Sequence, residues 1–197
     1  KAVLQIGKDP QLIRKRIDLL NMSGYKGERK NIGMILTGID SRMITDKTLG
    51  LKISGPTGSG KSGAIEQCKK LHVEKSTYIE FSSATATSIY GLNDDLKHKA
   101  LIFAEAQSLT KDNDLTYALR SLLSEGKVSR IRQTKVKNAW VNQTQKAEGP
   151  ISFITTTTNN QLEKQLENRV FSIHPDVSGI QNRKVVESML KRFSGYS

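Results

Sequence analysis

The sequence is short of cysteine, of aromatic residues and of long apolar runs. Only one cysteine, Cys68, occurs in 197 residues, which excludes an internal disulfide and a thiolate metal cluster. No apolar run approaches the length of a membrane span, and no long apolar region follows the first four residues to make a signal peptide. A lone thiol fits a reducing compartment, so we expect a cytoplasmic protein with no membrane partner. The three histidines lack the spacing of metal ligands.

Acidic residues are also scarce relative to basic ones. Lysine and arginine number 31 against 19 aspartate and glutamate, which gives a formal net charge of +12. A basic balance of this size favours a polyanionic partner, above all nucleic acid. The alternative is a well-solvated surface, and the positions of the charges decide between the two.

What the sequence does contain is a phosphate-binding loop of the Walker A type. Its glycines let backbone N–H groups turn inward towards phosphate oxygens, and the helix that follows adds its positive N-terminal end. Lys61 can reach the outer phosphates, and the Ser62 hydroxyl can ligate Mg²⁺, so we expect ATP and Mg²⁺ as cofactors. A chance glycine-rich turn is the alternative, but an apolar strand pattern before the loop and a helical pattern after it favour nucleotide binding. The nucleotide-binding residues are Gly55, Pro56, Thr57, Gly58, Ser59, Gly60, Lys61, Ser62 and Gly63.

The rest of the chain alternates between strand and helix patterns. Apolar periodicity predicts an N-terminal helical segment over 1–48 and a P-loop ATPase domain over 49–197. This alternation predicts an α/β fold with a central parallel sheet flanked by helices. The predicted strands are 49–54, 76–82, 100–105, 151–154 and 170–173; the predicted helices are 9–20, 32–43, 61–71, 115–124 and 180–193, with helical turns at 89–99 and 162–168.

Glu105 follows a buried apolar run whose carboxyl end should lie beside the phosphate loop. There it can act as the base that polarises water, or combine that role with a place in the metal shell. The alternative is an ordinary carboxylate at a strand end. Ala104 stands where an aspartate is usual, which puts turnover in doubt more than nucleotide binding.

Two further groups extend the predicted site. A hydroxyl of Thr157 or Thr158 can hold the attacking water, with Asn159 as a third choice. Arg169 can supply a guanidinium to the phosphates of a neighbouring subunit, which implies a ring of subunits. The alternative for Arg169 is a surface salt bridge with a nearby glutamate, Glu163 or Glu167.

A basic β-hairpin is predicted over residues 127–146, with a turn at 138–139. No acidic residue lies within it, so it can grip phosphates regardless of sequence, and Trp140 can stack on a base. The alternative is a solvated edge hairpin whose lysines prevent aggregation. The predicted nucleic-acid contacts are Lys127, Arg130, Arg132, Lys135, Lys137 and Trp140.

Four stretches together resemble the ATPase domain of helicase and primase-helicase proteins of bacterial mobile elements and phages. They are residues 55–62, 96–106, 117–126, and 148–150 leading into 155–158 and 167–169. The resemblance implies an AAA+ fold akin to superfamily 3 and MCM-type helicases, in which a hairpin before the sensor strand lines the pore of a hexamer and moves along DNA. It assigns Lys61, Ser62 and Glu105 to nucleotide and metal. It also makes Thr157 or Thr158 the sensor and Arg169 the finger, and leaves Arg183 as a candidate second sensor.

Three functions remain open from the sequence. The first is an ATP-dependent DNA helicase or translocase in replication, working as a homo-oligomeric ring on single-stranded DNA. The second is a slowly hydrolysing, nucleotide-dependent DNA-binding or loading factor, because Ala104 lacks a carboxylate. The third is a small-molecule kinase, which would have no use for the basic hairpin.

Overall fold

A parallel sheet forms the centre of the protein. The computed structural model describes residues 9–23, 25–26, 28–45, 48–72, 74–106, 109, 113–136, 139–158 and 162–193. Its strands are β1 (Gly50–Ser54), β2 (Tyr78–Phe81), β3 (Lys99–Phe103), β4 (Lys127–Val136), β5 (Ala139–Glu148), β6 (Ile151–Thr157) and β7 (Val170–Ile173). Five of them form one parallel sheet in the order β2-β3-β6-β1-β7, and β4 and β5 pair as a separate hairpin. The predicted α/β architecture with a central parallel sheet is confirmed.

Helices cover both faces of this sheet. The α-helices of the described residues are α1 (Leu12–Met22), α2 (Arg29–Asp40), α3 (Lys61–Lys70), α4 (Ala86–Leu92), α5 (Asn113–Glu125), α6 (Lys164–Glu167) and α7 (Gly179–Phe193). Short 3₁₀ turns occupy Ser41–Met43, Lys75–Thr77 and Asn93–Leu96. Among these described helices, none has both the length and the apolar character needed to cross a membrane.

Alternation along the strands divides the core into two layers. Leu101 and Phe103 of β3 pack with residues of α4 and α5, whereas Ala100 and Ile102 pack with residues of α1, α2 and α3. Successive side chains of a strand point to opposite faces, so a strand buried on both faces must be apolar throughout. The result is a three-layer arrangement in which each face of the sheet carries its own helices.

The N-terminal helices belong to the second of these core clusters. Ile35 of α2 is fully buried and shares that cluster with β1 and α3. Arg16 of α1 donates to the Asp40 carboxylate and lies 2.9 Å from Nε2 of His72, just beyond α3. Burial lowers the pKa of His72 to about 4, and the charge of Arg16 acts in the same direction. The division of the chain at residue 48 stays a prediction.

The basic hairpin is present and two residues longer than predicted. Val128 and Ala147 are buried at its base, where they join the core cluster of α4 and α5. The Gly149 N–H donates to the Gly126 carbonyl at 2.7 Å, which joins the two residues that flank the hairpin at its base. Ala139, predicted as part of the turn, belongs to β5 instead, and Asn138 lies outside the described residues.

Several element boundaries differ from those predicted, among them the end of β6 and both ends of α4. Strand β6 continues through Thr157, although the apolar pattern alone ended it at residue 154. Threonine is β-branched and favours strands, and β6 lies between two partner strands, so the three threonines are buried within the ladder. The helix expected over 89–99 begins earlier, at Ala86, and gives way to a 3₁₀ turn at Asn93.

Close approach of β1 and β7 makes Gly50 sensitive to substitution. A Cβ at this position would lie 2.7 Å from Cγ1 of Val170 and 2.8 Å from the carbonyl oxygen of Arg169. We expect Gly50→Ala to lower the free energy of unfolding by about 1–3 kcal/mol, the usual cost of overpacking. The control is Gly91→Ala in α4, where no atom lies within 4 Å. There the change should raise stability by about 0.5–1 kcal/mol. Urea unfolding followed by circular dichroism measures both, and equal stability of the two variants would contradict the close approach.

Candidate nucleotide site and nucleic-acid interface

The phosphate-binding loop joins β1 to α3 through two left-handed glycines. Gly58 and Gly60 have backbone φ angles of 79° and 82°, which residues with a Cβ rarely adopt. Gly60 caps the N-terminus of α3, which begins at Lys61. Sequence and backbone therefore agree on a loop that turns its amides towards the end of a helix, as a phosphate site requires.

The Lys61 side chain lies within this loop. It is 9% exposed, and its Nζ donates to the carbonyl oxygens of Gly55 at 2.6 Å and Pro56 at 2.7 Å. Burial lowers the pKa of Lys61, and the negative charge of Glu105 opposes that shift. Glu105 therefore lies within electrostatic range of Lys61.

Backbone bonds on both sides fix the segment that carries Glu105. The Ala104 N–H donates to the Phe81 carbonyl of β2 at 3.1 Å, and the Ala106 N–H donates to the Thr156 carbonyl of β6 at 2.9 Å. The Thr156 hydroxyl also donates to the Ala104 carbonyl. Glu105 is exposed between these two anchors, at the edge where β1 ends. Thr156 was not predicted as a site residue, and its place in a run of threonines gave no means to single it out.

The predicted sensor threonines occupy different positions at the end of β6. Thr157 is buried, pairs in register with Ser54, and accepts the Gly55 N–H on its carbonyl at 3.1 Å. Thr158 follows the strand and is exposed. Asn159 lies outside the described residues. Thr157 thus joins β6 directly to the first residue of the phosphate loop.

A cavity of about 290 Å³ adjoins the loop at this edge and is lined in part by Ser62, Ala104 and Thr156. Two glutamates, Glu66 and Glu80, also line it, and both form ion pairs with Lys69. The described residues contain no cluster of three or more acidic, histidine or cysteine side chains that could hold a metal. Mg²⁺ commonly uses one or two protein oxygens and completes its shell with phosphate and water. The Ser62 hydroxyl and the Glu105 carboxylate fit that requirement.

Arg169 lies at the amino-terminal end of the parallel strands, opposite the end that carries the phosphate loop. It immediately precedes Val170, which pairs with Gly50 at the start of β1, whereas the phosphate loop follows Ser54 at the end of that strand. Four residue spacings, or about 13 Å, separate those two strand ends. Arg169 is exposed and cannot reach the phosphate loop of its own chain.

Two hydrogen bonds hold the Arg169 guanidinium in place. Its Nε donates to the Ser124 hydroxyl at 2.5 Å, and its Nη1 donates to the Gln165 carbonyl at 2.6 Å. The glutamates considered as its partners are engaged elsewhere: Glu163 pairs with Arg120 at 3.7 Å, and Glu167 pairs with Lys52. Lys52 is only 3% exposed and lies in β1, so this ion pair joins the strand that enters the loop to helix α6.

One face of the hairpin is open to solvent. Ile131 is 70% exposed and Trp140 is 69% exposed. Lys135 lies directly opposite Trp140 in the antiparallel register, so the ammonium and the indole share this face. Lys127 and Arg132 are also exposed, and Lys137 lies outside the described residues. Positive charge next to an exposed aromatic ring suits a single-stranded polynucleotide.

Arg130 differs from the other basic residues of the hairpin. Its guanidinium lies 4.2 Å from the ring centroid of Tyr90, and its Nη2 donates to the Thr87 hydroxyl at 3.1 Å. Its Nε donates to Oε1 of Gln145 on the paired strand at 2.9 Å. Burial raises the pKa of Tyr90, and the positive charge of Arg130 opposes that rise. Arg183, the candidate second sensor, is exposed on α7.

Comparison with known proteins shows which family this chain belongs to. A model of the MTBMA_p00010 P-loop domain family matches residues 6–196. The chain belongs to this P-loop domain family. A search of curated proteins finds no match.

A solved structure shows the same fold at low sequence identity. A mutant of Thermotoga maritima RuvB superposes with a TM-score of 0.55 at 15% identity, covering 84% of this chain and 51% of that one. A structure described as SCCmec type IV Cch, active helicase, gives a TM-score of 0.49 at 11% identity, covering 88% of this chain and 34% of that one. The P-loop domain thus spans about half of the RuvB chain. The predicted P-loop fold, with a central parallel sheet flanked by helices and an inserted hairpin, is confirmed.

We expect Lys61→Ala to lower affinity for ATP by about 10- to 100-fold, because a hydrogen bond to a charged group contributes about 1.5–3 kcal/mol. Lys70→Ala is the control, since Lys70 is exposed at the other end of the same helix. Isothermal titration with a non-hydrolysable ATP analogue measures both. Equal affinities for the two variants would contradict nucleotide binding at this loop.

Proposed function

We propose that this P-loop domain is an ATP-dependent motor on single-stranded DNA, a helicase or translocase in the replication of a mobile element or phage. One observation carries the proposal. Strand β6 lies between β1 and β3, whose ends hold the phosphate loop and Glu105, and it begins just after the basic hairpin ends at Glu148. A shift of β6 at the nucleotide edge would therefore move the base of the hairpin. The RuvB-like fold supports this proposal.

The chain supplies each group that such a motor needs. Lys61 and the loop amides would hold the outer phosphates, and Ser62 would hold Mg²⁺ with the help of Glu105. Bound ATP would supply the free energy of hydrolysis. Glu105 polarises the attacking water from the exposed edge beside Ala104, and Thr157 or Thr158 orients it. Glu105 lies between Ala104 and Ala106, whose hydrogen bonds to β2 and β6 hold its backbone in place.

The hairpin is the surface proposed to grip the DNA. Lys135 and Arg132 would contact backbone phosphates, and Trp140 would stack on a base. None of these contacts reads base edges, so binding would not depend on sequence. The net charge of +12 supports a polyanionic partner of this kind.

Ala104 favours a second candidate function, a nucleotide-dependent DNA-binding or loading factor that hydrolyses slowly. Its methyl group lines the cavity beside Ser62, where an aspartate is usual. The two functions predict different rates. A motor turns over ATP faster when it moves along DNA, whereas a binding factor changes only its affinity for DNA between nucleotide states.

We expect an oligodeoxythymidylate to stimulate ATP turnover. We also expect two hairpin variants to weaken binding of the oligonucleotide, and with it the stimulation, in distinct ways. Lys135→Gln should flatten the dependence of log affinity on log salt by about 0.7, because one phosphate contact is lost. Trp140→Ala should cost about 1–3 kcal/mol of binding while leaving that slope unchanged, because stacking involves no counterion release. Fluorescence anisotropy at several salt concentrations and a coupled ATPase assay measure both effects.

The control for these variants is Lys30→Gln, which removes an exposed lysine of α2. Bound DNA without faster turnover would favour the binding factor over the motor. Absence of DNA binding would exclude both functions.

Arg169 is proposed to act on the nucleotide of a neighbouring subunit in a hexameric ring. Arg169→Ala should lower turnover by about 10³-fold, as removal of an arginine finger does. Mixing that variant with Lys61→Ala should restore activity, because about a quarter of the interfaces in an equal mixture would combine an intact loop with an intact arginine. Light scattering gives the mass of the assembly. A mixture that stays inactive would contradict action between subunits.

A further inference from the structure

Arg130 and Arg132 lie two residues apart on the same face of β4, yet their surroundings differ. Arg130 contacts Tyr90 and Thr87 of α4, in addition to Gln145 across the hairpin. Arg132 pairs in register with Gln143 further along the hairpin and is exposed. Strand alternation alone therefore gives two equivalent arginines, and the tertiary fold makes them different.

The helix that Arg130 contacts begins close to the nucleotide edge of the sheet. Phe81 ends β2, and its carbonyl accepts the Ala104 N–H next to Glu105. Ser82 follows and lines the cavity that also contains Ser62. Helix α4 starts four residues later, so its first turn, which includes Thr87, is tied to the segment that carries Glu105.

The hairpin runs alongside α4 towards that first turn. At its base, Lys97 just beyond α4 pairs with Glu148 at 2.8 Å, and further along the hairpin Arg130 reaches Tyr90 and Thr87. Arg130 touches α4 at the point where this face of the hairpin opens to solvent, because Val128 is buried, Arg130 is half-buried and Arg132 is exposed.

We propose that Arg130 is a positioning residue that couples the nucleotide edge to the hairpin through α4, rather than a contact to nucleic acid. The proposal rests on the motor function above and reassigns one of its predicted DNA contacts. The guanidinium bonds Thr87 and Gln145 through two different nitrogens while its central carbon lies 4.2 Å from the Tyr90 ring centroid, and the single nitrogen of a lysine cannot make all three contacts at once. A phosphate contact has no such requirement, because a lysine binds phosphate as a point charge.

This difference gives a matched test with lysine at both positions. In Arg130→Lys, the salt slope of binding to oligodeoxythymidylate should stay unchanged, while stimulation of ATP turnover relative to the basal rate should fall about fivefold or more, as for loss of coupling between two sites. In Arg132→Lys, both quantities should stay close to those of the unmodified chain. Arg132→Gln should flatten the salt slope by about 0.7, and Arg130→Gln should leave it unchanged.

A second variant covers the case in which substitution of Arg130 unfolds the chain, which thermal melting detects. Thr87→Val removes the hydroxyl that accepts from Arg130 at an exposed position of α4. It should reduce stimulation and leave the salt slope unchanged. Full stimulation in Thr87→Val would overturn the coupling role.

Failure of this inference can be told apart from failure of the proposed function. A flatter salt slope in Arg130→Gln, with stimulated turnover in the unmodified chain, would show that Arg130 contacts DNA and would overturn the coupling role alone. An unmodified chain whose turnover does not respond to bound DNA would overturn the motor function and the coupling with it.

Discussion

Parallel pairing of β6 with both β1 and β3 is the constraint on which the rest of the structure depends. Thr157 lies opposite Ser54 on one side, and Thr155 lies opposite Phe103 on the other. Because all three strands run in the same direction, their carboxyl ends meet at one edge of the sheet. The phosphate loop, Glu105 and the threonine pair come from segments about 50 residues apart in sequence, and this ladder alone brings them together.

Local patterns predicted the parts of the site that depend on few residues. The glycine loop needs left-handed backbone at Gly58 and Gly60, so its composition reveals its conformation. The apolar run before Glu105 and the alternation of the hairpin are similarly self-contained signals. The positions of polar residues inside a buried strand were harder to predict. The threonines of β6 were predicted as a strand-end cluster, because hydropathy does not show that two neighbouring strands will bury them.

Long-range partners could not be predicted from sequence. Lys52 occurs in an ordinary strand pattern, and the carboxylate that neutralises it lies 115 positions away. Arg130 and Arg132 are indistinguishable until α4 packs against one of them. In both cases the role of a charged side chain is set by a neighbour that only the folded chain provides. Composition predicted a polyanionic partner, and the fold determines which charges would remain available for one.

The Lys52–Glu167 ion pair constrains which substitutions the chain tolerates at these two positions. Lys52 leads into the phosphate loop, and Glu167 precedes Arg169 by two residues. Within the described residues, Oε2 of Glu167 is buried and accepts no hydrogen bond, so Lys52 provides the main compensation for that carboxylate. Loss of Glu167 alone would leave the buried Lys52 ammonium unpaired at a cost of about 3–5 kcal/mol, whereas an apolar pair of matching volume can be tolerated. A substitution at Glu167, two residues before Arg169, is therefore expected to require a matching substitution at Lys52, in the strand that leads into the phosphate loop.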